Sequence, residues 1–196
     1  DIIGDIHGHS QSLELILTKL GYKNQSGIYR HPARKVIFLG DFIDRGNYQR
    51  EVIDIARAMI ESGNALAVMG NHEFNAIAYY TADHEGEGYL RPHSEKNTGQ
   101  HQAFLDAYQG SPAAYEDTIN WFKTLPLWLD LGNLRVIHAC WDKHEIAEIM
   151  KYQDGECYLS EKLLRESCRS GTWQFRAVET RLKGKEIPLK PGASFK

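Results

Sequence analysis

The sequence has 196 residues, 42% apolar and 25% charged, and its 23 basic against 26 acidic side chains leave a formal charge of −3. That is enough chain for one domain with a full apolar core, and the composition excludes a disordered or collagen-like polypeptide. The slight acidity offers no general attraction to nucleic-acid backbones or anionic membranes, so phosphate recognition would have to come from a local site.

Asp1-Ile2-Ile3 is a short apolar run ending at Gly4. Leu13, Ile16, Leu17 and Leu20 then recur at i, i+3, i+4 and i+7, the stripe of an amphipathic helix stopped by Gly21. A second strand run, residues 36–39, ends at Gly40-Asp41 and precedes a helix carrying Val52, Ile53, Ala56, Met59 and Ile60. A third, residues 65–69, ends at Gly70-Asn71-His72 and leads into a helix through Ile77. Three successive strand–helix units predict an α/β fold with a parallel sheet. Residues 81–127 change character: glycines, Pro92, Pro112 and two helix-like patches, 103–108 and 115–125, predict a largely helical insertion or cap. Residues 127–131 and 134–137 flank Gly132-Asn133 as two strands around a turn, the second ending at His138. Helical stretches are expected at 145–150 and 160–167, and residues 176–196 read as basic and irregular.

No apolar run approaches the roughly 20 residues of a membrane helix, so no membrane association is expected. Cys140, Cys157 and Cys168 form no CxxC pair and are odd in number, which points to reduced thiols in a cytoplasmic protein. The chain opens at Asp1 inside a strand run and stops at Lys196 after a Pro/Gly stretch, so both ends read as cut.

Each of the first three strands ends in glycine followed by polar residues: Gly4-Asp5-Ile6-His7, Gly40-Asp41 with Asp44-Arg45, and Gly70-Asn71-His72-Glu73. In open α/β sheets ligands bind beyond the carboxyl ends of the strands, where such loops converge. Asp5, His7, Asp41, Asn71 and His138 are oxygen and imidazole donors without a thiolate, a set suited to Mn, Fe, Ni or Zn. A carboxylate such as Asp41 can bridge two cations, and paired divalent metals stabilise attacking and leaving oxygens at phosphorus and acidify a shared water. Arg45 is a forked donor for phosphate oxygens, and His72, within reach of Asp44, has the form of a general acid.

These three motifs, Gly4 to Gly8, Gly40 to Gly46 and Gly70 to Glu73, resemble the signatures of the calcineurin-like metallophosphoesterases. The Asp44-Arg45-Gly46 ending and Glu73 are most similar to the branch holding protein Ser/Thr phosphatases and bacterial symmetrical dinucleoside tetraphosphatases. The resemblance implies an α/β sandwich formed by one domain over residues 1–196, with two divalent cations, manganese first and Fe, Ni, Co or Zn as substitutes. It implies Asp5, His7 and Asp41 around one metal, and Asp41, Asn71 and His138 around the other. His72 paired with Asp44 would be the acid, and Arg45, Asn71 and His72 would contact phosphate. The implied activity is phosphate-ester hydrolysis by metal-activated water, on a phosphoprotein first and a dinucleoside polyphosphate second. A non-catalytic metal-binding scaffold is the alternative from another class.

His138 is followed by Ala139-Cys140-Trp141 rather than glycines, and the later His144 has no preceding glycine. A final metal ligand and the C-terminal strands are therefore expected beyond Lys196. The default reading of His84, His93 and His101 is surface histidines, of Arg176, Arg181 and Lys183 a solvated basic stretch, and of Cys140 a buried thiol. His9 and Glu73 are expected beside the site, not as ligands.

Overall fold

A computed structural model describes residues 1–84 and 86–185. Ile2–Ile3 (β1) leads into Ser10–Lys19 (α1), a hairpin of Lys23–Gln25 (β2) and Ile28–Arg30 (β3), then Val36–Phe38 (β4), Gln49–Glu61 (α2), Ala65–Ala67 (β5) and Asn71–Tyr80 (α3). Glu95–Ala107 (α4) and Pro112–Lys123 (α5) precede Trp128–Asp130 (β6), Arg135–Ile137 (β7), Lys143–Tyr152 (α6), Glu161–Ser167 (α7) and Trp173–Lys183 (α8).

The parallel sheet has the order β1-β4-β5, with Ile2 beside Ile37 and Val36 beside Ala65. Strand alternation divides its side chains between two faces. Val36, Phe38, Ala65 and Ala67 enter a large core with Val52, Ala56 and Met59 of α2. Burying each Val, Ile or Met side chain there contributes roughly 1.5–3 kcal/mol. Ile37, Leu39, Leu66 and Val68 face the other way and pack with Leu129 and Val136 of the antiparallel β6–β7 pair. The fold is thus layered, with helices on one face of the sheet and β6–β7 on the other.

The insertion is helical as expected: α4 packs on α2 and α5 on α3. One element has no counterpart in the sequence reading, and one expectation needs correction. The β2–β3 hairpin has an exposed first strand with no alternating apolar signal. Residues 173–183 form a helix rather than irregular chain, because Thr172 caps it, Ala177, Val178 and Leu182 are buried, and Gly184 at φ 88° ends it. The rest of the expected irregular tail, 186–196, lies outside the described residues.

Candidate functional site

The three parallel strands deliver their loops to one rim. Glu73, fully buried in the first turn of α3, accepts the Asp41 and Phe42 N–H groups at 2.8 Å and that of Gly70 at 3.0 Å. One carboxylate therefore staples the ends of β4 and β5 together. Burial first, then the neighbouring Asp41 charge, push its carboxyl up to about 7 against those three donors. The first loop is tied to the second by Ile6 and His7 N–H groups on Asp41 O, both at 2.9 Å. Gln49 closes the second loop, accepting from Asp44 N–H and donating to Gly46 O. Among the described residues, five of the seven non-glycine positions with positive φ lie in these loops: Asp5, His7, Asp41, Asp44 and Arg45. Backbone strain is concentrated where function needs fixed side chains.

Asp41 is the hub. Its Oδ1 accepts the His72 N–H at 3.1 Å. Its Oδ2 faces the Nε2 atoms of His7, His72 and His138 at 3.7, 3.9 and 3.6 Å, separations too long for hydrogen bonds. His7 Nδ1 lies 2.8 Å from Ile43 O and His138 Nδ1 lies 2.6 Å from Leu39 O. A carbonyl only accepts, so both Nδ1 atoms donate and both Nε2 atoms face inward, the orientation a metal ligand takes. His7 Nε2 is buried without a protein partner among the described residues, and a divalent cation would satisfy it. Two donor groups have ligand atoms within 4.8 Å of one another, His7-Asp41-His72 and Asp5-Asp41-His138, and they share Asp41. Asn71 Oδ1 lies 3.2 Å from His138 Nε2, on the second group's side. The donor set present therefore fits divalent cations.

His72 Nδ1 lies 2.5 Å from Asp44 Oδ2, the pairing expected from the sequence. The other Asp44 oxygen has an unexpected partner, His101 Nδ1 at 2.8 Å. Burial alone would raise the Asp44 carboxyl, but hydrogen bonds from His101 and His72 outweigh it and hold it below the usual range. Burial likewise opposes the His72 imidazolium, yet the Asp44 hydrogen bond and the Asp41, Asp44 and Glu73 charges raise its pKa.

A family model described as Calcineurin-like phosphoesterase matches residues 1–172. The chain belongs to the calcineurin-like phosphoesterase family. Two curated relatives are named bis(5'-nucleosyl)-tetraphosphatase PrpE [asymmetrical]. That of Oceanobacillus iheyensis is 31% identical over 152 residues, 76% of this chain and 58% of its own. That of Geobacillus thermodenitrificans is 45% identical over 147 residues, 71% of this chain and 56% of its own. The chain thus spans less than three-fifths of the length of either relative. A cold-active protein-tyrosine phosphatase of a psychrophilic Shewanella shares the fold, with a TM-score of 0.55 at 16% identity over 86% of this chain and 48% of that one.

Beside the candidate metal rim opens a cleft of about 1040 Å³, lined by Asp44, Arg45, Asn71 and His72 and by the insertion residues Arg91, Lys96 and His101. Several default readings change here. His101 is only 4% exposed and reaches into the site, and nothing local in its polar segment signals that contact. Arg181 is fully buried, bonded to Glu145 at 3.0 Å and to the carbonyls of Ala177 and Asp142, so it is no solvated base. Lys183 lines the cleft but is engaged by Glu179. His84 is exposed, and exposed His93 stacks between Tyr79 and Tyr89. Cys140 is half-buried rather than buried, and His9 is exposed at the start of α1.

Proposed function

We propose that this phosphoesterase is a metal-dependent hydrolase of dinucleoside polyphosphates, cleaving asymmetrically as the names of its curated relatives suggest. The observation that carries the reading is the convergence of three imidazole Nε2 atoms on Asp41 Oδ2, two of them with Nδ1 fixed on backbone carbonyls. By the motif resemblance Asp5, His7 and Asp41 would hold one cation and Asp41, Asn71 and His138 the second; the donor clusters themselves, His7-Asp41-His72 and Asp5-Asp41-His138, share Asp41 but set Asp5 beside His138. Manganese suits this oxygen and imidazole set, with Fe, Ni, Co and Zn as competent substitutes. When bound, such a pair of cations neutralises phosphate charge and lowers the pKa of water for attack at phosphorus.

The chain's own residues supply the rest. Arg45, exposed and without an ion-pair partner among the described residues, forks two non-bridging phosphate oxygens, and Asn71 and His72 contact the same group. His72 keeps its Nδ1–H on Asp44, so its protonated Nε2 is free to give a proton to the leaving oxygen as the P–O bond breaks. Nucleotide stands ahead of phosphoprotein because of the relatives' names and the cationic lining of the cleft. One apolar core running from Ile3 to Leu182 supports a single domain with 81–127 as its insertion. Three free cysteines support a reducing, cytoplasmic location, and no described helix is long and apolar enough to cross a membrane.

Product analysis tests the reading. Manganese-loaded protein given diadenosine tetraphosphate beside a phosphoserine peptide should yield equal AMP and ATP and release little phosphate from the peptide. Cleavage of the peptide alone overturns it, and two ADP would replace the asymmetric mode with a symmetric one.

A further inference from the structure

Arg91 belongs to the insertion and was not part of any motif, yet it lines the cleft that holds Asp44, Arg45 and His72. Its guanidinium is half-buried and held from two sides by neutral acceptors, Asn75 Oδ1 and Gln100 Oε1, both at 3.0 Å. No carboxylate pairs with it among the described residues; Asp44 and Glu179 act on it only at longer range. Burying a guanidinium costs free energy unless an anion compensates it, and here the two amide oxygens fix its orientation without cancelling its charge. An Arg side chain has five N–H donors and two are engaged, so the remainder stay open to a ligand.

Its position is set by the same helix as the metal rim. Asn75, which holds Arg91, lies four residues after the candidate ligand Asn71, on the same face of α3 and just over one turn further along, about 6 Å. Gln100, its other support, immediately precedes His101, which contacts Asp44. Lys96 lines the same cleft, exposed and with no described ion pair. The one acidic group of the lining apart from Asp44 is Asp106, which accepts from Gln102. At about 1040 Å³ the cleft is far larger than a single phosphate needs and falls at the upper end of ligand sites, about 300–1,000 Å³.

We propose that Arg91, assisted by Lys96, is a subsite for the phosphates of a polyphosphate chain that lie beyond the one gripped by Arg45. It makes the number of phosphates a specificity determinant. This rests on the nucleotide reading above and deepens it: a phosphomonoester would fill only the metal rim, whereas a polyphosphate would run on to Arg91.

The test is competition of AMP and ATP against p-nitrophenyl phosphate hydrolysis by manganese-loaded protein at constant free Mn²⁺. ATP should inhibit more tightly than AMP. In Arg91→Gln the ATP constant should weaken roughly tenfold or more, the scale of a lost forked charge-assisted contact, with a much smaller change for AMP. Arg91→Lys should fall between, keeping the charge without the fork. Lys96→Gln has no described hydrogen bond to lose and should move the ATP:AMP ratio the same way by roughly 2–3-fold. It carries the test if Arg91→Gln fails to fold. A ratio unmoved in the folded variants, or equal weakening of AMP and ATP, overturns the subsite and leaves Arg91 a brace between α3 and α4. Diadenosine tetraphosphate cleavage by the unsubstituted protein separates the two ideas. No cleavage with a collapsed ratio sinks the substrate reading and keeps the subsite; cleavage with an unmoved ratio does the reverse.

Discussion

Asp44 accepts one imidazole on each carboxylate oxygen, His72 from α3 and His101 from α4. With both oxygens engaged the carboxylate cannot rotate, and the His72 ring is fixed with Nε2 toward Asp41. His101 Nε2 is buried with no partner among the described residues, and its Nδ1 meets the Asp44 carboxylate. His101 is therefore a positioning residue. His101→Phe should lower kcat roughly tenfold on phenyl phosphate and less on p-nitrophenyl phosphate, whose leaving group needs less protonation. His101→Asn, which can still donate, should recover part of the loss; equal effects on both substrates would make the residue merely structural. The motif residues are legible because glycine followed by Asp, His or Asn is a local signal at the end of an apolar run. His101, Gln49 and Arg91 are not, because each acts across 5 to 57 positions of chain and sits in a sequence with no pattern of its own.

At the scale of elements, strand–helix alternation in residues 1–80 is plain because period-2 and period-3.6 patterns there agree with turn signals. Helix α8 escapes for the opposite reason: its sequence is crowded with charge, and one of those charges is the element's anchor. Buried Arg181 joins α8 to α6 through Glu145 and the Asp142 carbonyl, and its own carbonyl accepts the Ala139 N–H just after His138. Arg181→Ala should cost about 3–5 kcal/mol in urea unfolding, because it leaves the Glu145 carboxylate without its buried partner and removes two further hydrogen bonds to carbonyls. A loss below 1 kcal/mol would mean the helix pair holds without it. Cys168, at the end of α7, gives a check of the same packing. Burial pushes its thiol up to about 12, so only roughly one molecule in 10⁴ carries the thiolate at pH 8. Native protein should resist iodoacetamide at Cys168 at pH 8, become reactive as pH rises toward that value, and label at once in urea; rapid native labelling would show that α7 and α8 separate readily.

Across the whole molecule, the sheet's two faces meet different partners, and the hydrogen bond from His138 to Leu39 O crosses between them. A bound cation would therefore clamp both layers, since Asp41 comes from the central sheet and His138 from the end of β7. Saturating Mn²⁺ at 100 times its dissociation constant would add about 2.7 kcal/mol, or roughly 5–10 °C for a chain of this size. Chelation with EDTA should remove that increment, and Asp41→Asn should show no Mn²⁺-dependent shift in calorimetry. An unchanged transition in both would mean the donors do not hold metal.

Gly40, at φ +88°, lies so close to the Gly70 backbone that any side chain there would overlap Gly70 N, and Glu73 binds both strand ends at once. The interval between the loop carrying Asp41 and the helix carrying Asn71 is therefore fixed by main chain rather than by adjustable side chains. Such a frame would limit how far the two loops part for a cation with longer oxygen bonds, such as Ca²⁺ at about 2.3–2.6 Å, and Ca²⁺ should therefore bind more weakly than Mn²⁺ in calorimetry.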